Sequence, residues 1–313
     1  MSQLGGRGYS SILPYFKVWY RWVRKQFAFQ NVSTAKPFPA ILTEPITKQT
    51  TMKKVTFLTL LTLSTTTIFS QEINIGFIDS ISSKVLNENR KIIVKLPKGY
   101  GESEKSYPVI YRLDGDIDLF SETIGTVNRL AYIDELIPEM IVVMIENTDR
   151  NRDMMPIKTR FFDAEPGAEK FKSFIESELI PHINSSYRTT NEKILCGQSL
   201  SAIFTLYYFL TSPNSFNSYI ACSGGFLDCE DYFNSLIDSF FDKEIEKPIK
   251  IFLTYGKKDF LDPNGDNERQ LSGLNQKIKG KKNVICALKI YEDEGHVPFQ
   301  SLYHGLKFIY TIE

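Results

Sequence analysis

From Lys91 onward, apolar residues fall alternately into short dense runs and into longer stretches spaced at three and four residues. The short runs predict strands at Lys91–Leu96 (KIIVKL), Pro108–Leu113, Met140–Ile145, Lys193–Cys196, Ser218–Cys222, Ile249–Thr254 and Val284–Tyr291. Met140–Ile145 (MIVVMI) is apolar on both faces, as a strand covered on both sides must be. The spaced stretches predict helices at Ala168–Ile183, Ser199–Leu210, Tyr232–Phe241, Glu268–Ile278 and Leu302–Thr311. Strands that alternate with helices imply crossover connections, hence a mostly parallel sheet with helices on both faces. No internal repeat and no linker divides this stretch, so one three-layer α/β domain over residues 71–313 is expected.

The first seventy residues follow a different pattern. Met52 is followed by two lysines and then by a Thr-rich apolar run, residues 53–71 (KKVTFLTLLTLSTTTIFSQ), ending in the small Ser70. That is the order of a secretory signal peptide, and the run is too short and too polar for a comfortable membrane span. A signal should open a chain, so the economical reading puts the start at Met52. Residues 1–51 are then an upstream mis-called start. The rival is a genuine extension, in which the aromatic and basic Ser11–Phe29 could lie on a membrane surface. Either way the expected location is periplasmic or secreted, with no stable membrane insertion once the signal is cleaved.

Composition narrows the function classes. Hydrophobic residues make up 42% and charged residues 24% of the 313, which excludes a disordered chain and a multi-span membrane protein. Thirty-seven basic residues balance 37 acidic ones, without the basic excess of a general nucleic-acid binder. Four cysteines (Cys196, Cys222, Cys229, Cys286) and three histidines (His182, His296, His304) show no zinc-ligand spacing, so neither a metal nor another cofactor is expected. Cys222 and Cys229 are near enough in sequence to bridge in an oxidising compartment. The preferred reading is four reduced, partly buried thiols.

In a parallel α/β sheet, ligands bind beyond the carboxyl ends of the strands. Beyond Lys193–Cys196 stands Gly197-Gln198-Ser199-Leu200-Ser201-Ala202, leading straight into a helix. This is a variant of the G-x-S-x-G nucleophile elbow with Ser201 at the second glycine position. Small residues are needed on either side of the serine because backbones crowd there, and Gly197 and Ser201 are small. The turn sets Ser199 at a helix N-terminus, whose dipole favours a developing anion. A serine nucleophile needs a base. His296 lies in the loop after the last strand, whereas His182 and His304 sit on helices and read as structural or solvated. The acid that orients the imidazole belongs in the loop after Ile249–Thr254. Asp259 is nearest the strand end, Asp262 and Asp266 look like turn residues, and Glu268 follows. An oxyanion hole needs two N–H donors: Leu200 and, from the loop after Pro108–Leu113, Asp116 beside Gly115. The loop 147–156 carries Asp149, Arg150, Arg152 and Asp153. Arg150 or Arg152 could bind an acidic substrate group, although a self-satisfied Asp–Arg network is the favoured reading. Ser223, in Ser223-Gly224-Gly225-Phe226, could line the pocket but lacks the glycine two residues before it that an elbow requires.

These residues resemble the putative-esterase branch of the α/β-hydrolases, which includes esterase D and the enterochelin-type siderophore esterases. The resemblance spans roughly residues 88–312. It rests on RKIIVKLPKGY at Arg90–Tyr100, PVIYRLDGD at Pro108–Asp116, ENTDRNRDMMP at Glu146–Pro156 and ELIPHINSSY at Glu178–Tyr187. It continues through the elbow GQSLSA, YGKKDFL at Tyr255–Leu261, Gly295-His296 and GLKFIY at Gly305–Tyr310. It implies an α/β-hydrolase fold, Ser199 as nucleophile, His296 as base and an acid near Asp259. The partner would be a small-molecule ester, cleaved through an acyl-enzyme. Ser201 and Ala202 stand where glycines are common. An acyltransferase using the same triad, or a hydrolase fold retained for binding alone, are the other readings.

Overall fold

The structure, a computed structural model, describes residues 75–162 and 164–311. The expected signal segment at 52–70 and the extension at 1–51 lie outside the described residues. Eight strands form one sheet: β1 (Phe77–Ser83), β2 (Glu88–Lys95), β3 (Tyr107–Arg112), β4 (Ile141–Ile145), β5 (Thr189–Gln198), β6 (Ser218–Cys222), β7 (Ile249–Gly256) and β8 (Val284–Tyr291). Their order is β1-β2-β4-β3-β5-β6-β7-β8. Only β2 runs against its neighbours, and every pair from β4 to β8 is parallel. The helices are α1 (Ile117–Tyr132), α2 (Arg150–Met154), α3 (Ala168–Phe174), α4 (Ile180–Ser186), α5 (Leu200–Thr211), α6 (Glu230–Phe241), α7 (Asp266–Ile278) and α8 (Ser301–Thr311). The mostly parallel α/β sheet expected from the pattern is present.

Three elements went unread in the sequence. β1 (FIDSISS) is an edge strand whose residues are mostly exposed, so burial imposed little alternation on it. α1 has a clear buried stripe at Phe120, Thr123, Ile124, Val127 and Leu130, capped by Asp116, whose side chain accepts the Leu119 N–H at 2.8 Å. α2 is a single short turn capped by Asp149. The helix expected at 168–183 extends to Ser186 but is interrupted at Ile175–Leu179 by a π-turn, where Ile180 N–H bonds to Ile175 O. Pro181 brings no N–H to the ladder just beyond, which is where such irregularities collect. Pro108 is tolerated inside central β3 because the pairing with β5 is irregular there.

The two faces of the sheet have separate cores. Ile93, Ile110, Val142, Met144, Ile194, Cys196, Ile220, Cys222 and Phe252 pack under α1 and α8, against Phe120, Leu130, Leu302 and Leu306. The alternate residues point the other way. There Tyr111 meets Phe216, and rings run on through Tyr208, Phe204 and Phe171 to Phe174. These rings are fully buried. Burying each one is worth about 1.5–3 kcal/mol in transfer free energy, so the aromatic face anchors α3 and α5 against the strands.

Candidate active site

The strand ends create a crowded rim at the carboxyl edge of the sheet. Four non-glycine residues there take left-handed backbone angles: Asp114 after β3, Ser199 after β5, Ser223 after β6 and Val297 in the loop after β8. Such conformations cost about 1–3 kcal/mol each and persist only where surrounding contacts over-determine them. At Ser199 (φ 54°, ψ −121°) the determinants are visible. Its N–H donates to Cys222 O at 2.8 Å, and its carbonyl accepts the N–H groups of Ala202 and Ile203 as α5 begins. Gly197 is forced by proximity, since a Cβ there would lie 2.2 Å from Ser201 O. The turn therefore throws the Ser199 side chain out of the sheet while α5 starts directly beneath it.

The loops after β7 and β8 converge on that hydroxyl. His296 Nε2 is 2.7 Å from Ser199 Oγ, and His296 Nδ1 is 2.7 Å from Asp259 Oδ2. The Asp259 side chain is fully buried, whereas that of His296 keeps 14% of its surface exposed. Asp259 Oδ1 accepts the Leu261 N–H at 2.9 Å. A carboxylate at Nδ1 holds the proton on that nitrogen, which leaves Nε2 bare as an acceptor for the serine O–H. Close approach of the two loops depends on Gly256, where a Cβ would meet Gly295 O at 2.1 Å.

The competing acids are placed elsewhere. Asp262 accepts Tyr255 O–H at 3.0 Å and the N–H groups of Asp266 and Asn267 at 2.8 and 2.9 Å, which closes the first turn of α7. Asp266 pairs with Arg269, and Glu268 lies 3.8 Å from Lys257. His182 pairs with Asp79, and His304 bonds to Tyr291. Among the described residues, no cluster of three His, Cys, Asp or Glu side chains is arranged to hold a metal.

Several expected contacts with substrate take other roles. Leu200 is the first residue of α5, so its N–H has no acceptor within the helix. Asp116 differs: its N–H closes a tight turn onto Asp114 O at 2.8 Å, and its side chain caps α1. Gly115 donates its N–H to Ile145 O at 2.8 Å, and a Cβ there would lie 2.6 Å from Ile145 N. It is a close-packing glycine, with its N–H already spent within the fold. Arg152 is not aimed at the site. It bonds Asp153 at 2.8 Å and Glu88 at 3.0 Å, next to the fully buried Arg90, which also pairs with both acids. Arg90 in turn lies 5.1 Å over the Phe171 ring. Ser223 is buried, and its Oγ accepts the Val297 N–H at 3.3 Å, so it braces the His296 loop instead of lining a pocket. Cys222 and Cys229 are both free thiols, as are Cys196 and Cys286.

What sequence reasoning missed is the hub around Asp114. Its Oδ1 accepts Asn147 Nδ2 and Arg150 Nε, each at 2.7 Å, and its Oδ2 accepts Arg150 and Ser201 Oγ, each at 2.8 Å. Burial opposes the charge, yet Arg150, Asn147 and Ser201 hold the carboxyl below its ordinary value. Asp–Arg pairing within loop 147–156 was anticipated, but the partner of Arg150 lies 36 residues upstream, where no local pattern points.

Known proteins resemble this chain in sequence and in fold. Residues 83–272 match the family described as putative esterase. The chain is 28% identical over 240 residues to the ferri-bacillibactin esterase BesA of Bacillus subtilis (strain 168), covering 67% of this chain and 81% of that protein. An IroE-like serine hydrolase from Shewanella oneidensis superposes with a TM-score of 0.68 at 26% identity, covering 75% of this chain and 80% of that one. The siderophore hydrolase EstA of Aspergillus nidulans shares the fold, with a TM-score of 0.66 at 21% identity over 78% of this chain and 98% of its own. The chain belongs to the putative esterase family, carboxylic ester hydrolases of the α/β-hydrolase fold.

Proposed function

We propose that this protein hydrolyses a small carboxylic ester outside the cytoplasm, through an acyl-enzyme on Ser199. The observation that carries the reading is the line Asp259–His296–Ser199, with 2.7 Å at each junction. Ser199 Oγ attacks the ester carbonyl carbon while His296 Nε2 takes the hydroxyl proton. Asp259 stabilises the imidazolium and keeps its Nδ1–H in place. The carbonyl oxygen becomes an oxyanion, bonded by Leu200 N–H at the positive end of α5. Asp116 N–H can serve as second donor only when its bond to Asp114 O opens. Collapse of the tetrahedral adduct expels the alcohol, protonated by His296, and leaves the acyl group on Ser199. Water then attacks the acyl carbon, giving its proton to His296. The acid departs and Ser199 recovers its proton.

The relatives support a substrate class. Its similarity to the ferri-bacillibactin esterase BesA supports an ester or lactone of a siderophore. Export is supported by the signal-like order of residues 53–71. No described helix is long and apolar enough to cross a membrane. The test is hydrolysis of p-nitrophenyl esters and of ferric siderophore lactones by the wild-type protein and by Ser199→Ala. Turnover that survives in Ser199→Ala overturns the proposal. Acyl transfer to an added alcohol in preference to water would move it to the transferase reading.

A further inference from the structure

The serine that replaces the second elbow glycine is fully buried. Its Oγ accepts the Gln198 N–H at 2.7 Å and donates to Asp114 Oδ2 at 2.8 Å. Gln198 immediately precedes Ser199, and Asp114 opens the loop after β3. Arg150 grips Asp114 at both oxygens and reaches Gln198 O at 3.3 Å. Thr205 Oγ1 closes the lower side by donating to Ser201 O at 2.8 Å. The nucleophile turn and the loop facing it are thus joined through one hydroxyl and one carboxylate.

We propose that Ser201 is a positioning residue. Its hydroxyl clamps the turn carrying Ser199 and Leu200 to Asp114, so that the Leu200 N–H keeps its aim at the developing oxyanion. The inference rests on Ser199 being the nucleophile and adds a role no elbow glycine can fill. Oxyanion donors act through fixed geometry, and losing one costs about 10²–10³ in kcat. Loosening the clamp displaces the Leu200 donor without removing it, so a smaller loss, about 10–50-fold in kcat, is expected of Ser201→Ala. Since the clamp acts in the transition state, KM stays within about twofold.

Ser201→Gly separates positioning from stability. Removing the side chain opens roughly one water's volume, about 30 Å³, between polar partners at Gln198 N–H, Gln198 O and Asp114 Oδ2. A bridging water restores part of the clamp, whereas the Ala methyl fills the space and bonds nothing. In the first turn of a helix Gly is also less stable than Ala. The expected order is therefore Ser > Gly > Ala in kcat, with Gly below Ala in melting temperature.

The experiment measures kcat and KM on a p-nitrophenyl ester, the rate of fluorophosphonate labelling, and thermal melts for wild type, Ser201→Ala, Ser201→Gly and Ser199→Ala. Labelling should slow in step with kcat, because the phosphonyl oxygen occupies the oxyanion position. Ser201→Ala within twofold of wild type in kcat, or activity ranked Ala above Gly in step with the melts, overturns the clamp. If Ser199→Ala itself turns over, the failure lies in the nucleophile assignment.

Discussion

The Asp259 carboxylate meets His296 Nδ1 at 2.7 Å, while Asp262, three residues on, points into its own loop and accepts the Tyr255 hydroxyl at 3.0 Å. Asp259→Asn is expected to lower kcat by roughly two to four orders of magnitude with little change in melting temperature. Both Asp262 oxygens accept hydrogen bonds and Asn would set an NH2 donor at one of them, so Asp262→Asn should cost about 1–3 kcal/mol of stability and leave kcat within about threefold. Steady-state kinetics beside thermal melts separate the two; a crippled kcat in Asp262→Asn alone would transfer the acid role.

Ser199 sits at φ 54°, a backbone region that suits glycine. Ser199→Ala should abolish turnover and keep the fold. Ser199→Gly should be equally inactive but more stable than Ser199→Ala by about 1 kcal/mol, through relief of strain. Peptide mapping after fluorophosphonate treatment of wild type should find the label on Ser199, and on neither Ser201 nor Ser223.

Gly197→Ala places a methyl 2.2 Å from Ser201 O and 2.5 Å from Thr205 Oγ1. Backbone must shift, so a loss of about 3 kcal/mol or more and no measurable esterase activity are expected. Gly125→Ala is the control. That glycine lies in α1 with nothing within 4 Å of its would-be Cβ, and gaining a helix former there should stabilise by about 1 kcal/mol. Denaturant melts read both.

The depressed Asp114 carboxyl makes an acid-labile contribution to stability. A group whose folded value lies below its unfolded one stabilises above the unfolded value and ceases to as pH falls through the folded one. Wild-type stability should therefore decline as pH drops below about 4. In Arg150→Gln burial remains without the opposing cation, and the Asp114 value rises. That variant should be less stable at neutral pH and should recover relative to wild type on acidification. Urea titrations at a series of pH values check the sign.

If the segment at 53–71 is a signal, exported protein should begin near Gln71 and residues 1–51 should be dispensable. N-terminal sequencing of secreted material decides this, and mature protein retaining residues 1–51 would remove the case for a start at Met52.

The core strands were legible because burial on both faces leaves dense apolar runs. β6 occupies the very residues that pattern predicts, and the half-buried edge strand β8 also matches its predicted run. The ends of β5 and β7 were not legible, because ladder bonds continue through residues without an apolar side chain, such as Thr189 and Gly256. β2 was visible as a strand but its reversed direction was not, since apolarity carries no polarity of chain. The elbow and His296 could be singled out because each follows a strand in the required chain order. Choosing among the nearby acids needed the structure. Asp259 and Asp262 are chemically identical, and only the path of loop 257–265 decides which faces His296.

By itself the sequence determined most of the core strands and which side chains capable of chemistry stand at the strand ends, because these depend on local spacing and residue type. Tertiary structure alone decided partnership. Arg152 turned to Glu88 and Asp153, Ser223 braced Val297, and the Asp116 N–H closed its own turn. Asp114 gathered Asn147 and Arg150 from one distant loop and Ser201 from another segment. The physical reason is that a buried polar group must find a partner, and the nearest partner is set by the packing of strands far apart in the chain.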